Sequence, residues 1–358
     1  MNKSELDDPA HIRAGDPSGM FSLLGDFPEQ FRRAIDLGQN SPIESIGRPI
    51  RNVVITGVGG SAIGGDIIAA VAAAEATVPI AVQRGYTLPA CVNEQTLVIV
   101  SSYSGNTEET LSAFECARGR GARIVAITTG GALQERCRDA QIPVVAIPAG
   151  LPPRAALGYT MVPALMLLVR LGVVPDKTAD LEETAFLLES KKPVFFEGKP
   201  LADNPAKQLA IRWQGRIPIL YGSLDTTAVV AARWRGQIAE NAKSLAFSHH
   251  LPEMNHNEIV GWSLIRPAAQ EFSVVLLRDR CEHLRMRLRI EITREILTRN
   301  TSDILEVETE GESLLARLFS LIYLGDYASV YLAILNRVDP TTIEPIDFLK
   351  EKMKKSRD

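Results

Sequence analysis

Two short loops and four isolated side chains carry the chemistry available to this sequence. Gly57-Val-Gly-Gly-Ser-Ala-Ile-Gly-Gly65 stands where the β-branched run Arg51–Thr56 must hand over to a helix. Glycines at such a point let main chain approach an anion closely, and the free amides at a helix start point toward it. A second loop, Ser101-Ser-Tyr-Ser-Gly-Asn-Thr107, follows a later apolar run and sets Ser101, Ser102, Ser104 and Thr107 just before Glu108, where another helix begins. Small hydroxyls added to helix amides make a compact cup for one phosphate.

The first loop has a rival reading, because Gly57-x-Gly59-x-x-Ala62 fits the relaxed dinucleotide fingerprint. That fingerprint needs an acidic residue about 20 residues further on to hold the ribose. The sequence offers Ala81-Val-Gln-Arg84 there, and Arg84 would suit a 2′-phosphate instead. A nicotinamide cofactor therefore stays open on this loop alone. The pair of loops favours a sugar phosphate, since a terminal phosphomonoester presents more charge and more acceptor oxygens for hydroxyls than a pyrophosphate held mainly by main chain.

The four isolated side chains are Arg154, Glu240, His256 and Lys350. Arg154 follows two prolines that restrict the backbone, opens the apolar stretch Ala155–Val169, and keeps its charge when desolvated. His256 sits in the polar segment Pro252–Glu258, where an imidazole exchanges protons near neutral pH. Taken alone, Glu240 reads as a helix-surface carboxylate and Lys350 as a solvated ammonium. His249 and His250 lie nearby, but without an HExxH spacing or a cysteine partner no metal site is expected.

These groups must be positioned by alternating strands and helices. Strands are predicted over Arg51–Thr56, Val78–Val82, Thr96–Ser101, Ala122–Ile127 and Pro143–Ile147, with helices over Phe21–Leu37, Glu108–Arg118 and Leu133–Asp139. Helical periodicity continues across Arg154–Leu171 and Asp180–Ser190, and Lys191–Pro205 reads as a connector. Strands Ile217–Tyr221, Ser244–Ser248, Phe272–Leu277 and Ile304–Glu308 then alternate with helices Thr226–Ala242, Cys281–Leu297 and Ser313–Asn336, and a lysine-rich helix Ile346–Lys355 ends the chain. Alternation of this kind predicts an α/β fold with two doubly wound parallel sheets. The expected division is an N-terminal segment and helix (1–40), two subdomains (41–195 and 196–340) and a C-terminal loop and helix (341–358).

Bulk properties narrow the classes. At 358 residues the chain exceeds what one core usually serves, and 46% hydrophobic with 23% charged residues is ordinary for a folded protein. A net charge of −4 gives no basic field for nucleic acid. Ala155–Val169 is too short for a membrane span and holds Pro163, so it reads as a buried helix. The acidic start has no apolar signal region, and Cys91, Cys116, Cys137 and Cys281 form no CxxC pair, so reduced thiols in a cytoplasmic protein are expected.

The loops Gly57–Gly65 and Ser101–Glu108 resemble those of the sugar isomerase (SIS) domain. Ala126–Gly131, Pro153–Leu157, Glu240-Asn-Ala-Lys243, Leu251–Asn257 and Ile346–Lys350 narrow the resemblance to the bifunctional phosphoglucose/phosphomannose isomerases, over about residues 50–352. The resemblance implies two SIS-type subdomains and interconversion of glucose 6-phosphate, and of mannose 6-phosphate, with fructose 6-phosphate through a cis-enediolate. It implies a phosphate held at Gly59, Gly60, Ser61, Ser102, Ser104 and Thr107, with Glu240 as base, Arg154 beside the enediolate, and His256 and Lys350 opening the sugar ring. It further implies a homodimer in which His256 comes from the neighbouring subunit, and neither metal nor redox cofactor. Ile343 and Glu344, before the terminal helix, would help position C1 and C2. The competing class is a non-catalytic sugar-phosphate sensor. Such regulators carry a DNA-reading module, for which the first 50 residues are too few and too acidic.

Overall fold

Two parallel sheets account for the alternation. The computed structural model describes residues 3–41, 49–264 and 266–356. Most of the Pro/Ser stretch before the first strand, 42–48, lies outside the described residues. Strands β1 (Asn52–Thr56), β2 (Ile80–Gln83), β3 (Thr96–Ser101), β4 (Arg123–Thr128) and β5 (Val144–Ala146) form a sheet in the order β2-β1-β3-β4-β5. Every pairing is parallel. All six residues of β3 are buried, as a strand covered on both faces requires. The order reverses at β1, so the carboxyl ends of β1 and β3 flank a topological switch point, where open α/β sheets take their ligands.

The helices of this half are α4 (Gly60–Ala72), α5 (Glu108–Gly119), α6 (Gly131–Asp139) and α7 (Leu157–Arg170). Helix α7 runs unbroken through Pro163, with eleven of its residues buried. Ahead of the sheet, the single helix expected over Phe21–Leu37 is two, α2 (Met20–Gly25) and α3 (Phe27–Gln39), preceded by α1 (Pro9–Gly15). Pro28 sits in the first turn of α3, where a missing amide costs nothing, and it cannot continue a helix from before.

The expected connector is partly helical. Helix α8 (Thr178–Phe195) carries on through Lys191-Lys-Pro193, and α9 (Pro205–Trp213) has no counterpart in the expected pattern. Asn204 starts α9 by accepting from the amides of Ala206 and Lys207, with Pro205 in the first turn. The second sheet has β6 (Ile217–Ser223), β7 (Phe247–Leu251), β8 (Phe272–Arg278) and β9 (Ile304–Glu308) in the order β7-β6-β8-β9, again parallel. Strand β7 lies three residues beyond the expected Ser244–Ser248. Helix α10 (Ala228–Ala242) ends at Lys243, which takes a left-handed conformation (φ 53°), and the chain uses Ser244–Ala246 to reach the sheet. His249 and His250 therefore stand on a strand.

Short α11 (Glu258–Gly261) and longer α12 (Leu284–Thr298) complete this half, followed by α13 (Leu314–Asn336) and α14 (Glu344–Lys355). Helix α13 is long and apolar enough to cross a membrane, but its most apolar stretch is wholly buried inside the fold. It packs on α10, α9 and α8 and also on α1 and α2. One continuous hydrophobic cluster consequently joins Phe31 and Leu157 from the first half to Trp234 and Phe319 from the second.

Candidate active site

The two glycine- and serine-bearing loops meet at the carboxyl ends of β1 and β3. Ser61, at the start of α4, accepts a hydrogen bond from the Tyr103 amide (3.2 Å). Ser102 Oγ donates to Thr107 Oγ1 (3.1 Å) and accepts from the Gly105 amide (3.1 Å), while Ser104 Oγ accepts from the Asn106 amide (3.2 Å). A hydroxyl has one hydrogen to give. Ser61 and Ser104 only accept in these bonds and keep their hydrogens free, and the Ser102–Thr107 pair, sharing one bond between two hydroxyls, has one more to give. Gly105 has φ +68°, and a side chain there would drive its Cβ to within 1.8 Å of the Gly130 carbonyl oxygen, so only glycine closes this turn.

The loop pair is tied to Arg154 through the backbone. A Cβ on Gly60 would meet the Pro153 carbonyl oxygen at 2.7 Å and Arg154 Cα at 3.3 Å. The short 3-10 turn Pro153–Ala155 therefore rests directly on the start of α4. Gly59, Gly60, Arg154 and Glu240 line one cavity of about 440 Å³, with Ile63, Asp66 and Arg84 on its α4 and β2 side.

The Arg154 guanidinium is buried, and its position is fixed by four acceptors. Nε donates to Asn241 Oδ1 (2.6 Å), Nη2 to the carbonyl oxygens of Pro340 (2.7 Å) and Thr341 (3.0 Å), and Nη1 to Glu240 Oε2 (3.4 Å). Burial pulls the Arg154 pKa below the ordinary guanidinium value, with the Glu240 and Asp339 charges opposing that pull. An arginine shifted down from so high a value still carries its charge at neutral pH. Glu240 is the one carboxylate this cation touches among the described residues, and its side chain remains partly open to the cavity.

Helix α10 builds the site from one face, since Arg233, Gln237 and Asn241 recur at four-residue spacing. Arg233 donates to Asp326 through Nε (3.0 Å) and Nη2 (2.6 Å), and Nη2 also reaches the Arg154 carbonyl oxygen (3.1 Å). Gln237 donates to Asp326 (2.9 Å), and Asn241 donates to Ser329 Oγ (2.9 Å). Burial raises the Asp326 pKa, and the Arg233 charge works against it. Lys243 closes the end of α10 by donating to the carbonyls of Glu240 (2.8 Å) and Asp339 (2.7 Å). Burial, then the Arg154 charge, lower the Lys243 pKa.

Sequence reasoning missed Arg233, Asn241, Lys243 and Asp326 as parts of this assembly. A signal existed: a lone carboxylate, Asp326, in the middle of the apolar run Leu314–Asn336, and three polar side chains on one stripe of α10. The loop Asp339–Pro345 belongs here too, because its carbonyls hold Arg154 and because Ile343 and Glu344 line a second cavity, about 630 Å³, together with Glu240 and Lys243. Arg84, the residue suited to a 2′-phosphate, is engaged by Asp66.

The structure does not bring every predicted residue to this point. His256 ends the 3-10 turn Glu253–His256 and is exposed, as is Lys350 on α14. Among the described residues, no hydrogen bond or ion pair joins either to Arg154 or Glu240.

A parallel α/β sheet whose switch point carries a hydroxyl-lined anion cup, repeated as a second sheet with the same strand order, defines a double-SIS sugar-phosphate protein. The SIS domain family matches residues 48–171, and the bacterial phospho-glucose isomerase C-terminal SIS domain matches residues 202–353. The bifunctional phosphoglucose/phosphomannose isomerase of Caldicellulosiruptor bescii is 44% identical over 95% of this chain and 100% of its own. The Aquifex aeolicus protein of that name is 39% identical over 86% of this chain and 92% of its own. The chain belongs to the bifunctional phosphoglucose/phosphomannose isomerase family. Its fold is shared with a hypothetical protein of Thermus thermophilus at 17% identity, with a TM-score of 0.73 over 99% of this chain and 94% of that one.

Proposed function

We propose that this protein is an aldose–ketose isomerase that interconverts glucose 6-phosphate, and mannose 6-phosphate, with fructose 6-phosphate through a cis-enediolate. The observation that carries this reading is the shared cavity in which phosphate-loop backbone (Gly59, Gly60) faces the Arg154–Glu240 pair. With Ser61, Ser104 and Thr107 donating to the 6-phosphate, Ser102 bracing Thr107, and Gly59 and Gly60 beside them, the sugar extends toward α10. Glu240 then moves the proton between C2 and C1. The Arg154 guanidinium, fixed by Asn241 and two carbonyls, stabilises the negative charge that develops on the enediolate oxygens without reorganising as it forms.

In this reading His256 and Lys350 open the sugar ring, with His256 supplied by the second subunit of a homodimer. Support comes from exposed apolar side chains near both residues: Val260 and Leu264 after His256, and Phe348 and Leu349 around Lys350. The working division remains subdomains of residues 41–195 and 196–340, and the expected compartment is the cytoplasm.

The deciding experiment is a coupled assay of fructose 6-phosphate formation from glucose 6-phosphate and from mannose 6-phosphate. Turnover of both aldoses is expected. A protein that binds fructose 6-phosphate yet forms neither aldose would leave the sensor reading in its place. A second expectation concerns geometry: Gly60→Ala forces Pro153 and Arg154 away from α4, and a displacement approaching 1 Å costs about 100-fold in kcat/KM. Unchanged kinetics in that variant would mean that Arg154 is not held by Gly60.

A further inference from the structure

The second sheet repeats the strand order of the first, so β6 and β8 stand where β1 and β3 stand. At and beyond their carboxyl ends lies a cavity of about 330 Å³ whose walls include Ser223, the last residue of β6, Thr226 beyond it, and Glu282, His283, Arg285 and Arg289 around the start of α12. This is a switch-point crevice of the kind that holds ligands in open α/β sheets, and it is separate from the Arg154–Glu240 cavity.

Part of its polar lining is unmet. Ser223 is only 3% exposed, and its hydroxyl has no hydrogen-bond partner among the described residues. The same holds for Thr226 Oγ1 and for Glu282 Oε2, although Glu282 is buried and its other oxygen is held by Arg278. Native proteins satisfy nearly all such groups, so each one left over needs an account. Arg285 and Arg289 have no carboxylate partner among the described residues, and Arg289 makes only a long bond to Asn255 (3.3 Å). The fifteen-residue α12 adds its positive end, capped by His283 accepting from the Arg285 amide (3.1 Å). Against these stands Asp225, an exposed carboxylate on the rim, while Glu282 is already paired with Arg278. The balance favours an anion, and Glu282 Oε2 calls for a hydroxyl that can donate to it.

We propose that this crevice is a second small-molecule site that takes a phosphorylated polyol, with the phosphate on Arg285 and Arg289 and the hydroxyls on Ser223, Thr226 and Glu282. A cavity of about 330 Å³ suits a short phosphorylated chain and not a dinucleotide.

The test uses the full chain carrying Ser61→Ala, Ser102→Ala, Ser104→Ala and Thr107→Val, which removes the hydroxyl lining of the β1/β3 cup, and calorimetric titration with glycerol 3-phosphate and with inorganic phosphate. Glycerol 3-phosphate is expected to saturate at one per chain and to bind more tightly than inorganic phosphate. Adding Arg285→Ala with Arg289→Gln weakens it by about 10- to 100-fold. Arg285→Ala alone, at an exposed position, serves if the combined variant does not fold. No saturable binding in the cup-deficient chain, or binding indifferent to Arg285, overturns the proposal. The readout is binding beside β6 and β8, so the result stands whether or not the chain isomerises sugars.

Discussion

Glu240→Gln is expected to lower kcat for fructose 6-phosphate isomerisation by about 10³-fold while leaving substrate affinity nearly unchanged. Glutamine keeps the shape of the side chain and an oxygen that accepts from Arg154, but it cannot take a proton from C1 or C2. The phosphate end is untouched, because Ser104 and Thr107 are held by bonds within their own loop and Ser61 by the Tyr103 amide of that loop, none of which involves Glu240. Arg154 also stays in place, since Asn241, Pro340 and Thr341 fix three of its four bonds. The effect should therefore fall on kcat, with a dissociation constant measured at equilibrium close to that of the parent. Undiminished turnover would remove Glu240 from the base role.

Asp326→Ala is expected to destabilise the fold by about 3–5 kcal/mol, because it leaves the buried Arg233 guanidinium without its counter-charge. The two side chains meet through two hydrogen bonds where each is only 3% exposed, and Gln237 donates to the same carboxylate. Urea unfolding of the single variant, compared with Asp326→Leu combined with Arg233→Met, separates the buried charge from the lost volume. The double variant should recover much of the loss. It should remain a poor enzyme, since Arg233 also holds the Arg154 carbonyl oxygen. A single variant as stable as the parent would show that the pair is not a structural requirement.

Much of the first sheet is legible because its signals are local. A β-branched run ending in Gly57–Gly65, and another ending in Ser101–Thr107, each declare a strand, a turn and a helix within about a dozen residues. The phosphate loops follow from the same local chemistry. What escapes is local structure masked by composition and, above all, long-range pairing. Lys191–Pro205 reads as a connector from its prolines and lysines, yet Pro193 is tolerated near the end of α8 and Pro205 begins α9. The displacement of β7 comes from the left-handed Lys243, which no apolar pattern announces.

The support of Arg154 is invisible in sequence for a different reason. Its partner Asn241 is 87 residues away and the Pro340 carbonyl 186 away, so no spacing rule connects them. Glu240, His256 and Lys350 are reached through family resemblance, since a carboxylate, an imidazole and an ammonium on polar surfaces have no distinguishing pattern of their own. Asp326 is the opposite case. A charge inside an apolar helix is a conflict visible in sequence, and here it marks the buried end of the network that reaches the site.

Helix α13 also sets a timetable. The Tyr323 hydroxyl donates to the Leu24 carbonyl oxygen (2.9 Å), across 299 residues of chain. On the ribosome, Phe21, Phe27 and Phe31 thus emerge long before Phe319, Tyr323, Tyr327 and Tyr331, the aromatic rings they are to pack against. At synthesis rates of about 5–20 residues per second, that interval lasts some tens of seconds. Helix α3 finds α7 and α8 earlier, but for that time the aromatic rings of α2 and α3 lack the cover that α13 supplies. A nascent chain stalled before residue 314 should therefore be held by apolar-binding chaperones until the last long helix is made.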